Sequence, residues 1–205
     1  MPELTEGPKS IEVRGIRVEW VERGSGRPLL FLHPSIGLDT AAPVFDRLAK
    51  GAHLLAPSHP GFGGSDLPPS FTTVDDLAYF YLDLLDQLDL HDVTVVGTRD
   101  PALPDASVAR IARNLESTAR FCWNPYMHDP KLKGRLHRIR IPSLVLWGAE
   151  DRIVAPDYGR AYAAAIPGAR FATIERAGHF PHVERPEEFA RAVLGFIEEK
   201  ERSAP

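Results

Sequence analysis

Leu29-Leu30-Phe31-Leu32-His33-Pro34 is the stretch on which the fold turns. Four apolar residues follow one another with no polar position to mark a wet face. A strand that alternates apolar and polar shows one face to water, whereas one that is apolar throughout is covered on both. The run is short for a helix, and a proline stands two residues beyond it. A sheet covered on both faces needs helices, so the neighbouring sequence should alternate between short apolar runs and amphipathic helical segments.

It does. Upstream, Ile11 to Val21 alternates around Gly15 and reads as an antiparallel ribbon at a sheet edge. Downstream come a helix over Ala42 to Lys50, a strand over His53 to Ala56, and a loop, His59 to Pro69, rich in glycine and proline. Leu77, Phe80, Tyr81, Leu84, Leu85 and Leu88 recur at helical spacing on one face. Thr73, with Asp76 three residues later, resembles a capping box with aspartate in the place of glutamate. Val93 to Gly97 is the next strand. Asp105 to Ala119 is helical, with Asp105 as N-cap and Val108, Ile111, Ala112, Leu115 and Ala119 on one face. Leu144–Trp147 and Arg170–Ile174 are strands, and Asp157–Ile166 is the helix between them. Pro186–Glu199 is a final helix packing Phe189, Val193, Phe196 and Ile197. The expected class is α/β, with a mostly parallel sheet between helical layers.

The chain's 205 residues suit a single domain over residues 1–205. At 43% hydrophobic and 25% charged residues, with net charge −4, it has ordinary globular composition and no general attraction for nucleic acid or an anionic membrane. One cysteine, Cys122, excludes an internal disulfide framework and a cysteine metal cluster. The polar stretch Met1–Ser10 does not read as a signal peptide, and no apolar run has the length of a membrane span, so a cytoplasmic protein is expected. The eight histidines show no metal-ligand spacing, and neither metal nor other cofactor is expected. The basic run Lys131, Lys133, Arg135, Arg138 and Arg140 reads as a solvated face. Gly61-Phe62-Gly63-Gly64-Ser65-Asp66 lacks the last glycine of a dinucleotide loop, and no helix follows it directly.

Two strand ends carry chemistry. Trp147-Gly148-Ala149-Glu150-Asp151 closes one, and Gly178-His179 follows the other. A histidine that accepts a proton needs one ring nitrogen free and a carboxylate to hold the N–H of the other. Taken alone, such a pair reads more readily as a surface histidine and a helix-entry aspartate. Set in order with His33-Pro34 and His59-Pro60-Gly61-Phe62-Gly63-Gly64-Ser65, it makes the chain resemble the α/β-hydrolase fold superfamily, in its esterase-like and C–C-bond-hydrolase-like branch. The resemblance covers Ile11 to Gly97 and Leu132 to Ile197. It implies His179 as base and Asp151 as its orienting acid, with His182 structural or solvent-facing. It also implies an oxyanion site in the loop His33-Pro34-Ser35-Ile36-Gly37. Pro34 has no N–H to donate, so the donor position falls on Ser35, although the same loop reads equally as an ordinary strand-to-helix turn.

The centre departs from the family. A nucleophile is expected on a tight Gly-x-Ser-x-Gly turn after the strand ending at Gly97. The chain reads Gly97-Thr98-Arg99-Asp100-Pro101. Arg99, a permanent cation, stands where the serine belongs, and Pro101 stands where the second glycine belongs. Asp100 would set a negative charge where the second oxyanion donor is expected. Thr98, Ser107, Ser117 and Cys122 offer no elbow in their place. The resemblance therefore implies an internal loss of the elbow, its helix, one strand and the front of a helical cap, with residues 99–140 as the cap's remnant. Trp123 and Tyr126 suit an apolar pocket wall or a core equally well.

The expectation is an α/β-hydrolase-like three-layer sandwich shortened by about one strand. The strand at Leu144 moves in beside the one at Val95, with the Asp105 helix as crossover; otherwise an open edge favours a homodimer. The implied function is a hydrolase by ancestry, an incomplete triad acting on a small apolar ester or related carbonyl compound, with turnover lost or very weak. A non-catalytic pseudoenzyme that binds a small ligand, or the product of an internal deletion, is the alternative.

Overall fold

The computed structural model describes residues 9–35, 37–98, 108–122, 129 and 131–203. Strands β1 (Lys9–Val13) and β2 (Ile16–Arg23) form an antiparallel hairpin with Val13 opposite Ile16. Its two-residue turn has Arg14 at φ 48° and Gly15 at φ 80°. Positive φ at both positions matches the right-handed twist of the flanking strands, and glycine meets it without strain. Next come β3 (Pro28–Leu32), α1 (Ala42–Leu48), β4 (His53–Pro57), α2 (Val74–Gln87) and β5 (Thr94–Gly97). They build a sheet of order β1-β2-β4-β3-β5, in which β4 and β5 flank β3 in parallel and β2 meets β4 antiparallel.

The continuous apolar run behaves as its composition requires. Leu29 and Phe31 face one layer with Leu54 and Ala56, against Val44, Phe45 and Leu48 of α1 and Phe189, Val193 and Ile197 of α6 (Pro186–Ser203). Leu30 and Leu55 face the other, against Phe80, Tyr81 and Leu84 of α2 and Val13, Val18 and Trp20 of the hairpin. The capping box at α2 is present: Thr73 Oγ1 accepts the Asp76 N–H, and Asp76 Oδ2 accepts the Thr73 N–H at 2.7 Å. Phe196 is only partly buried and lies under the Arg170 guanidinium, 4.9 Å from the ring centre.

The remaining elements are α3 (Val108–Cys122), β6 (Leu144–Gly148), α4 (Pro156–Ala164), β7 (Arg170–Ile174) and a short α5 (Pro181–Glu184). One expectation is corrected here. β6 does not move in beside β5; it pairs in parallel with β7 as a separate two-stranded sheet, and no ladder joins β5 to β6 among the described residues. Val95 of β5 is accordingly 53% exposed. The physical reason lies in α3. Among its described side chains, Arg113, Asn114 and Ser117 hold the loop after β4 rather than join β5 to β6. Ile174, Ala177 and Leu146 pack into the α1/α6 core layer and tie the second sheet to the first. The N-cap expected at Asp105 lies outside the described residues. No helix among the described residues is long and apolar enough to cross a membrane.

Candidate active site

β6 and β7 run parallel with Gly148 opposite Ile174, so their following turns emerge at one end of the pair. The turns are laced by backbone: Ala149 N–H donates to Ile174 O at 3.0 Å and Glu150 N–H to Ala177 O at 2.9 Å. This approach requires glycine at 148, where a Cβ would lie 1.8 Å from Gly178 O. The lacing sets Asp151 beside His179, with Oδ2 2.7 Å from Nδ1.

Asp151 is itself held. Its Oδ1 accepts the N–H groups of Ile153 and Val154, each at 2.9 Å, and Trp147 Nε1–H closes the turn by donating to Val154 O at 2.9 Å. Burial works to raise its pKa, but the Val154 N–H, the His179 ring and the Ile153 N–H outweigh it and hold the carboxyl below its usual range. An ionised acceptor at Nδ1 puts the proton there and leaves Nε2 as the acceptor, the form a general base needs. Gly178 and Phe180, the neighbours of His179, both donate their N–H to Glu184, at 2.8 and 3.0 Å.

The loop after β3 is built around a second pair of histidines. His33 Nε2 accepts the His59 N–H at 2.8 Å, and His33 Nδ1 donates to Pro34 O at 2.6 Å. His59 Nε2 donates to His33 O at 3.0 Å, and its Nδ1 accepts from the Tyr81 hydroxyl. The two rings stack at 3.7 Å. Burial lowers the His59 pKa to about 4 and raises that of Tyr81, so the network is neutral near pH 7. Both His33 ring nitrogens serve the backbone, so this side chain braces the loop. Ser35 stands in the turn closed by Gly37 N–H to Pro34 O at 2.9 Å, and its carbonyl accepts from Thr118 Oγ1 at 3.3 Å.

α3 lies against this loop and the one after β4. Arg113 donates to Gly61 O and Ser65 O, Ser117 to Gly61 O at 2.8 Å, and Asn114 Oδ1 accepts the Gly63 N–H at 3.0 Å. Phe121 stacks on Phe62 with planes 9° apart. Ser117 is thus a buried donor to backbone. His182 is structural: it packs between Phe31 and Phe189, and burial, against an opposing pull from Glu184, lowers its pKa to about 4. At the end of β5, Thr98 is still tied to β3, its N–H donating to Leu32 O at 3.1 Å. Arg99, Asp100, Pro101, Trp123 and Tyr126 lie outside the described residues.

Among the described residues no group of acidic, histidine or cysteine side chains could hold a metal. Two surface clefts, one lined by Arg14, Phe71 and Tyr79 and the other by Arg47, Arg191 and Leu194, include neither member of the His179–Asp151 pair. Sequence reasoning missed Glu184, Arg113 and Asn114. For Glu184, the one available signal was a carboxylate five residues after the histidine and two before Pro186.

Fold and site together define an α/β protein that carries a carboxylate-oriented histidine at the ends of two parallel strands. A model of the alpha/beta hydrolase family matches residues 99–192, a little under half of the chain. A 2-hydroxy-6-oxononadienedioate/2-hydroxy-6-oxononatrienedioate hydrolase of Paraburkholderia phymatum is 37% identical over 68 residues, 33% of this chain and 24% of that protein. The matched stretch thus spans about a quarter of the curated relative's length. A thermophilic esterase from Thermogutta terrifontis superposes with a TM-score of 0.78 at 17% identity, covering 95% of this chain and 99% of that one. The enol-lactonase from Burkholderia xenovorans LB400 superposes with a TM-score of 0.76 at 18% identity, covering 93% and 100%. This chain has the α/β-hydrolase fold, and a hydrolase of 2-hydroxy-6-oxononadienedioate is among the proteins to which it is similar.

Proposed function

We propose that the chain is a hydrolase by descent whose site is directed at a small apolar ester or related carbonyl compound. His179 is its general base and Asp151 the acid that orients it. The observation that carries this reading is the 2.7 Å contact of an ionised, doubly backbone-held carboxylate with His179 Nδ1. The curated relative's printed activity, hydrolysis of a 2-hydroxy-6-oxo dienedioate, supports a carbonyl substrate. Ser35 is the oxyanion donor in this reading, and residues 99–140 are the remnant of a cap. The triad is incomplete, because Arg99 occupies the nucleophile's place in sequence and a guanidinium has no lone pair suited to attack. Turnover is therefore lost or very weak, limited to water activated by His179.

A fluorophosphonate serine-hydrolase probe with intact-mass readout tests the reading. Protein that melts cooperatively and gains no adduct supports it. A stoichiometric adduct lost in His179→Ala would keep the base but replace the missing nucleophile with a recruited one, which peptide mapping would name.

A further inference from the structure

Glu184 is the last residue of α5, and its carboxylate turns back over that short helix. Oε2 accepts the Gly178 N–H at 2.8 Å and Oε1 the Phe180 N–H at 3.0 Å. One carboxylate thus holds the amides on both sides of His179. The arrangement works as a capping box does, a carboxylate satisfying amides ahead of its own helix, but it encloses a functional residue. Pro181 opens α5 without an N–H of its own, so the amides that need a partner here are those before it.

The loop is pinned from the other side too. Gly178 O packs on Gly148, with room for no side chain between them. Gly178 therefore sits between backbone on one side and the Glu184 carboxylate on the other. Glycine at 178 has no side chain to limit its backbone, so the loop's conformation is set by these outside contacts. The His179 ring is aimed by that backbone. Its Nδ1 meets Asp151 only while the loop is held, and Asp151 takes that nitrogen alone, which leaves Nε2 as the acceptor.

We propose that Glu184 is a positioning residue for His179: by accepting both flanking amides it fixes the loop so that Nδ1–H faces Asp151 and Nε2 remains the acceptor. The proposal rests on His179 being the base, and a readout on the imidazole itself separates the two ideas. Glu184 makes its hydrogen bonds here to the two flanking amides and not to the ring, so its hold on the ring's orientation passes through the backbone.

The experiment is NMR of the full chain labelled with 15N in the histidine rings, with His179→Ala used to assign the His179 signals. In the wild type His179 is expected as a single Nδ1–H tautomer, with its Nδ1 proton observable and shifted far downfield by Asp151. In Glu184→Ala that proton should be lost to exchange and the ring nitrogens should move toward tautomer-averaged positions, while the His59 and His33 signals stay in place. Glu184→Gln should fall between, because its amide oxygen can accept one N–H while its NH₂ confronts the other. Unchanged His179 signals in both variants overturn the proposal and leave the base–acid pair standing. An averaged tautomer already in the wild type overturns the base–acid reading and this proposal with it. Should the alanine variant fail to melt cooperatively, the glutamine variant decides by the same signals.

Discussion

Gly148 and Gly178 meet backbone to backbone, so closely that a Cβ on Gly148 would stand 1.8 Å from Gly178 O. The contact joins the turn bearing Asp151 to the loop bearing His179. Gly148→Ala must push the two apart. Overpacking at a buried contact costs about 1–3 kcal/mol, and here the Ala149–Ile174 and Glu150–Ala177 hydrogen bonds are strained with it. Urea unfolding should show the loss, and the Nδ1 proton of His179 should weaken in parallel. A variant as stable as the wild type, with its histidine signal intact, would show that the turns can part without consequence.

His179 and Asp151 should act as a unit. With an activated aryl ester, any rate above buffer in the wild type should disappear in His179→Ala, since a positioned base contributes about 10²–10⁴-fold. Asp151→Asn should be nearly as damaging. An asparagine can turn its NH₂ toward Nδ1, which favours the tautomer with the proton on Nε2 and removes the base. Initial rates on matched concentrations of folded protein decide the matter; equal rates in all three proteins remove the pair from the chemistry.

Much of this was legible in residue order. The run Leu29–Leu32 declared a two-faced strand, and its alternate residues do enter opposite core layers. Thr73 and Asp76 announced the start of α2 because a capping box is local chemistry. The family resemblance pairs Asp151 with His179, each lying in the loop after a strand, and the fold sets them 2.7 Å apart. Strand pairing was less legible: the composition of Leu144–Trp147 says that it is a buried strand but not which neighbour it takes, and it takes β7 rather than β5. Buried polar contacts were least legible. Arg113, Asn114 and Ser117 look like the wet face of an amphipathic helix, yet they serve the carbonyls and amides of a glycine-rich loop. Glu184 looks like a helix-entry carboxylate, and only the folded loop shows which amides it meets.

Acid should unfold the protein early. His182 is buried and His59 half-buried, both in neutral form, each with its pKa lowered to about 4 by desolvation. In the unfolded chain they take up protons near the ordinary value of 6.5. The unfolded state therefore binds more protons between those values, so stability is complete above pH 6.5 and falls as pH drops toward 4. With both groups titrating, the slope approaches about 2.7 kcal/mol per pH unit. Asp151 adds a further loss at lower pH, because its carboxyl lies below the usual range when folded and must be protonated to release His179. Urea midpoints from pH 7.5 to 4.5 measure the first window. A flat profile there would mean that the two rings are solvated.

Asn114 should matter more than its place on a surface-like helix implies. Its side chain is 1% exposed, and its Oδ1 accepts the Gly63 N–H at 3.0 Å. Asn114→Leu keeps roughly the volume but removes the acceptor, leaving a half-buried amide unpaired at a cost of about 1 kcal/mol. Because the bond spans α3 and the loop after β4, the damage should be local before it is global. Hydrogen exchange should quicken at Gly63 and its neighbours, while Leu30 and Leu55 in the sheet stay protected. Asn114→Asp restores an acceptor and should recover protection at Gly63 to the extent that the carboxylate tolerates burial. If the leucine variant exchanges like the wild type, water or another group satisfies Gly63, and α3 is held to that loop by Arg113, Ser117 and Phe121 without Asn114.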